Sequence, residues 1–210
     1  MKFKIFCTLL VAIPLTGCVS ANRSYAPPVA KSALVAPNFK EVGTQKDEVW
    51  AALVSGLGSQ FFVVNNMDKA SGFINVSYSG DPEKYVDGGE LVFKVSNLRG
   101  PREYRFPASR ANTQYENVDR GTLITVQRRL SLEGRMNVVV TDVVPGRTRV
   151  TVSTRYVLTL NAGGQTVTGQ PLTPVNETIA FTTGGEAKLT SGTTFRSTGE
   201  LESAVLSLVK

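Results

Sequence analysis

Four carboxylates crowd one short stretch of this chain: Asp81, Glu83, Asp87 and Glu90, with Tyr78, Lys84 and Tyr85 among them. Paired carboxylates can act as general acid and base on a glycan. Clustered oxygen ligands can hold a hard cation such as calcium, although the spacing matches no EF-hand loop. The competing reading is a loop whose acids form turns and caps, with Gly88-Gly89 serving the backbone. The second cluster is Arg99, Arg102, Arg105 and Arg110, interleaved with Tyr104 and Phe106. Arginine among aromatics can bind phosphate, sugar acids or a protein partner. Arg120, Arg128, Arg129 and Arg135 extend that list. On a strand Arg128 and Arg129 point to opposite faces, so only one of them can join a given patch. The competing reading here is solvated arginines that discourage edge-to-edge aggregation.

The N-terminus carries a different kind of chemistry. Lys2 and Lys4 precede an apolar run from Ile5 to Pro14, and Leu15-Thr16-Gly17-Cys18 follows. A basic start, a short apolar segment and small residues before a cleavage point form a secretory signal. The run is too short for a membrane span, which needs roughly 20 residues. Leu15-Thr16-Gly17-Cys18 resembles a bacterial lipobox. That resemblance implies cleavage after Gly17, a diacylglyceryl group on the Cys18 thiol, and acylation of the new amino terminus. One acyl chain anchors marginally at about 0.8 kcal/mol per buried methylene, and two or more hold stably. Val19 and Ser20 follow, with no Asp beside the cysteine. The resemblance therefore implies the outer membrane, facing the periplasm, with the inner membrane and the cell surface as alternatives.

What the chain lacks narrows the chemistry further. It has no histidine, and its two cysteines are Cys7, inside the leader, and Cys18, consumed by the lipid. The mature chain then has no imidazole base, thiol nucleophile or disulfide. Zinc sites built on His or Cys are excluded as well. No Gly-x-Ser-x-Gly segment is present, and Gly163-Gly164 lacks the context of a phosphate-binding loop. No cofactor and no metal are expected. The formal charge of +6 includes Lys2 and Lys4, which leave with the leader. The remainder is too mildly basic for a nucleic-acid partner.

The elements that must carry these residues follow from periodicity. Residues 1–17 are the leader, 18–38 a proline-bearing flexible tether, and 39–210 one domain. Val49, Trp50, Leu53 and Leu57 form a helical stripe, with Thr44 as N-cap. Strands are expected at 61–65, 73–78 and 91–95. A long polar excursion spans 97–119. Strands at 122–132, 136–144 and 148–160 follow, broken by Glu133-Gly134, Pro145-Gly146 and Ala162-Gly163-Gly164. Short strands are expected at 165–169 and 176–182. Leu201, Val205, Leu208 and Val209 mark a closing helix capped by Ser197 or Thr198. The expected class is α+β: an antiparallel sheet of about six to eight strands with an N-terminal and a C-terminal helix packed on one face.

Residues 47–78, with Val49-Trp50 on a helix, then Phe61-Phe62-Val63-Val64 and Ser71-Gly72-Phe73-Ile74, are similar in pattern to BamC-like domains of envelope lipoproteins. This resemblance implies an accessory role in the envelope. The expectation is a membrane-anchored, non-enzymatic lipoprotein that serves as an accessory or binding module for an envelope protein complex. The alternatives are a carboxylate-based cell-wall glycan hydrolase and a surface lipoprotein contacting host or neighbouring cells. The expected interaction surface is Arg99, Arg102, Tyr104, Arg105, Phe106 and Arg110.

Overall fold

A computed structural model describes residues 19–29 and 37–210. In chain order the elements are β1 (Ser20–Ala26), β2 (Phe39–Val42), α1 (Lys46–Gly58), β3 (Val63–Asp68), β4 (Phe73–Gly80) and β5 (Val86–Asp87). Then come β6 (Glu90–Asn97), β7 (Gly100–Pro107), β8 (Asn112–Asp119), β9 (Thr122–Val144) and β10 (Arg147–Thr166). The chain closes with β11 (Val175–Thr182), β12 (Glu186–Lys188), β13 (Thr194–Ser197) and α2 (Glu200–Leu206). Strand accounts for 59% of the described residues and helix for 11%, so the expected α+β class is corrected to a mostly β protein.

The frame is the long hairpin of β9 and β10, antiparallel from Val144–Arg147 to Ile124–Thr166. On β9, Leu130, Leu132, Met136, Val138 and Val140 are buried, while Arg129, Ser131, Glu133, Arg135 and Asn137 between them are exposed. On β10, Val150, Val152, Tyr156, Leu158 and Leu160 are the buried set. This alternation makes one face core and the other solvent. The main sheet runs β11-β10-β9-β4-β3, with β2 also on β10 and β8 also on β9. Two small sheets, β1-β6-β7 and β12-β13-β5, complete the described structure.

Several expected boundaries move, each for a physical reason. No turn occurs at Glu133-Gly134. Gly134 lies on the core face, where a Cβ would sit 2.8 Å from Leu201 Cδ1. The residue is small because α2 presses on the strand there, not because the chain reverses. Gly163 and Gly164 likewise continue β10, and a Cβ on Gly164 would collide with the Thr125 carbonyl. The polar excursion at 97–119 is instead β7 and β8: polar residues suit strands that bury only one face. The expected tether is shortened, because Ser20–Ala26 is β1, paired along β6. Gln45 caps α1 in place of Thr44. Gly199, at φ +82, is the N-cap of α2.

Both helices contribute to one core. Trp50, Leu53 and Leu57 of α1 and Leu201 and Val205 of α2 join the buried residues of β4, β9 and β10. Gly56 admits Leu208, whose Cδ2 would lie 2.9 Å from a Cβ there. Each fully buried Leu is worth roughly 1.5–3 kcal/mol. A polar clasp fixes α2 in place. The Tyr156 hydroxyl donates to Glu202 Oε2 (2.6 Å) and the Thr183 hydroxyl to Glu202 Oε1 (2.6 Å).

Candidate functional site

The core-facing side of the main sheet is covered, and its other side is open. Because cross-strand partners share a face, the register writes polar rows across that open side. One row is Asn75, Asn137, Ser153. The next is Ser77, Arg135, Arg155, Thr182. Farther along come Arg129, Asn161, Asn176 and then Gln114, Gln127, Gly163. Amides link neighbouring strands. Asn75 Nδ2 donates to Asn137 Oδ1 (2.7 Å), Asn65 Nδ2 to Asn75 Oδ1 (2.9 Å), and Ser77 Oγ to Asn65 Oδ1 (3.3 Å).

The centre of this face holds two like charges. Arg135 and Arg155 are direct cross-strand partners. Both are exposed, and no ion pair among the described residues reaches either one. Like charges in this relation destabilise a sheet by roughly 0.2–1 kcal/mol. Glu133, two residues along β9 on the same face, is the nearest acid in sequence. An open hollow of about 730 Å³ includes Asn75, Arg135, Asn137, Ser153, Arg155 and Thr182 in its lining. A second, of about 410 Å³, includes Gln127, Arg129, Asn161 and Asn176. Guanidinium forks bind carboxylate and phosphate bidentately, and amides and hydroxyls exchange hydrogen bonds with a polyol. The arrangement suits an extended, acidic, hydroxyl-rich ligand.

The sequence-derived surface is divided by the strand pleat. Arg102, Tyr104 and Phe106 lie on one face of β7, and Glu103 and Arg105 on the other. Phe106 is buried between Phe93 (5.9 Å, stacked) and Tyr115 (5.5 Å). Burial, chiefly, holds the Tyr104 and Tyr115 hydroxyls above the ordinary tyrosine range. Arg102 Nε lies 2.6 Å from Glu116. Arg105 pairs with Glu90 and Glu103, and Arg110 approaches Glu83 at 3.7 Å. Arg99 sits in the β6–β7 turn, apart from the rest. Cys18 lies outside the described residues.

The acids of the first cluster are engaged locally. Asp81 accepts from the Glu83 backbone N–H (2.8 Å) and Asp87 from that of Gly89 (2.9 Å). Glu83 and Glu90 face Arg110 and Arg105. No group of three or more acids, His or Cys that could hold a metal occurs among the described residues. A Ser-x-x-Lys spacing does end the chain, at Ser207 and Lys210. There the Ser207 hydroxyl donates to the Ala204 carbonyl (2.7 Å), as a helix end requires.

Arg128 and Arg129 do part company, as a strand demands. Arg129 lies on the open face. Arg128 is buried, donating to the carbonyls of Ala108 (2.6 Å) and Arg110 (3.2 Å). Burial lowers its pKa to about 10. Its role is to pin the connection between β7 and β8.

No family model matches the chain, and neither a curated protein nor a solved structure matches it.

Proposed function

We propose that this chain is a lipid-anchored, non-catalytic binding module of the bacterial envelope, and that its open sheet face engages an anionic partner. The observation that carries the binding reading is the pair Arg135 and Arg155, directly opposed across β9 and β10 without a carboxylate partner. A sheet that keeps two guanidiniums side by side is destabilised unless an anion lies over them. The flanking rows contribute amides and hydroxyls and lack the aromatic anchors that dominate protein hot spots. This favours an acidic envelope polysaccharide over a folded protein subunit. The anchor reading rests on Leu15-Thr16-Gly17-Cys18 and places the module at a membrane, the outer one by the residues that follow Cys18.

Two assays test the two halves. Cells fed radiolabelled palmitate should label the wild-type chain, and Cys18→Ser should abolish both labelling and leader removal. The lipidated protein should also sediment with purified cell-wall sacculi, in a salt-sensitive manner. An unlabelled wild-type chain would refute the anchor, and sedimentation unchanged by Arg135→Thr/Arg155→Thr would refute the site.

A further inference from the structure

The anchor reading places lipid on Cys18, and the fold decides what lies beside it. Ser20 already pairs with Ser96, and β1 runs antiparallel to β6. The chain therefore enters the domain at the β6–β7 turn. Two peptide units separate Cys18 from Ser20, at most about 8 Å between Cα atoms. The turn is Asn97-Leu98-Arg99-Gly100, held by the Asn97 side chain accepting from the Arg99 backbone N–H (2.8 Å). Leu98, at its tip, is 84% exposed.

Other features gather at this end. The short connection of residues 108–111 turns the chain back after β7, so β8 runs beside β6, with Tyr115 stacked on Phe93 at 4.1 Å. The β8–β9 turn, Asp119-Arg120-Gly121, thus lies at the same end as Leu98. Val167, 68% exposed, joins it through a hydrogen bond from its N–H to the Leu123 carbonyl (3.3 Å). Among the charges here, Lys94 pairs with Glu103 and Arg102 with Glu116. Arg99 and Arg120 are exposed, and Asp119 is the exposed acid beside them.

We infer that this end of the molecule seats on the lipid surface beside its own anchor. Leu98 and Val167 enter the headgroup–acyl boundary, and Arg99 and Arg120 meet lipid phosphates. The inference rests on the anchor reading above. It replaces a domain on a long leash with one standing upright on the bilayer. Arg135 lies thirteen residues beyond Thr122 along β9, which holds Arg135 at most about 45 Å from the membrane.

The test uses the full chain, processed and lipidated in cells and reconstituted into phosphatidylethanolamine–phosphatidylglycerol vesicles. An environment-sensitive fluorophore is placed on a single free thiol by Leu98→Cys, Val167→Cys or, at the far end of β9, Asp142→Cys. Cys7 leaves with the leader, and the Cys18 sulfur is blocked by its lipid. Doxyl-labelled lipid should quench positions 98 and 167 several-fold more than position 142. Equal quenching at all three, in protein whose mass shows the acyl groups and which floats with vesicles, would overturn the seating and leave the anchor standing. A chain without acyl groups that fails to float would overturn both.

Discussion

The open sheet face makes opposite demands on stability and binding at a single residue. Arg155→Thr removes a like charge facing Arg135. It should leave the fold as stable or more stable, by up to about 1 kcal/mol, while weakening an acidic ligand. A residue kept for packing would not separate the two readouts. Tyr156 behaves in the opposite way. Its hydroxyl donates to the buried Glu202 carboxyl, so Tyr156→Phe should cost about 1.5–3 kcal/mol in denaturant unfolding and leave the open face unaffected. Burial first, and Glu202 second, raise the Tyr156 pKa well above its ordinary value of 10. A raised folded-state pKa contributes stability that is complete below the unfolded value and is lost as pH rises past it. Alkaline unfolding should therefore begin above about pH 10, accompanied by the tyrosinate absorbance. Tyrosinate absorbance from Tyr156, read as the difference between wild type and Tyr156→Phe, that appeared well before unfolding would contradict the buried setting of Tyr156.

At the scale of elements, the sequence is legible wherever a single periodicity dominates. Val49, Trp50, Leu53 and Leu57 all fall inside α1 and are its buried residues. The alternation from Thr122 onward marks β9 and β10. What defeats the reading is glycine, whose composition does not separate a turn from a close approach. Gly134 is small because Leu201 needs the space, and that contact joins residues far apart in sequence. Gly134→Val should cost about 1–3 kcal/mol through overpacking, and Leu201→Ala should recover part of the loss in a double-mutant cycle. Additive costs would mean the two side chains do not meet. The Arg135–Arg155 pair was hidden by a subtler feature. A plain turn at Pro145-Gly146, with Val144 opposite Arg147, would set Arg135 against Tyr156. The register shifts between Arg147 and Thr148, and this irregularity puts Val150 opposite Val140 and Arg155 opposite Arg135. Burial of the valines selects that register. The arginine–aromatic cluster is divided for the complementary reason. Residues adjacent in sequence on β7 point to opposite faces, and Glu116, Glu90 and Glu83 meet three of its arginines from other elements.

At the scale of the whole molecule, one core takes in both ends of the described domain. α2 and the residues after it pack on β10 and against α1, so deleting the last dozen residues should abolish cooperative unfolding instead of trimming an appendage. A shortened chain that still melted cooperatively would show that α2 is dispensable. The same long hairpin runs from the end where β1 begins to the open polar face, which joins the proposed anchor to the proposed site through one continuous element. The most direct test of the account is a titration of the lipidated protein, in nanodiscs, against purified acidic envelope glycan at two salt concentrations. Wild type and Arg135→Thr/Arg155→Thr should be compared, with thermal unfolding measured on the same samples. Affinity should fall at least tenfold in the double variant, with a weaker salt dependence and unchanged or higher thermal stability. Equal affinity in the two proteins, or no saturable binding by the wild type, would rule out the open face as the binding site.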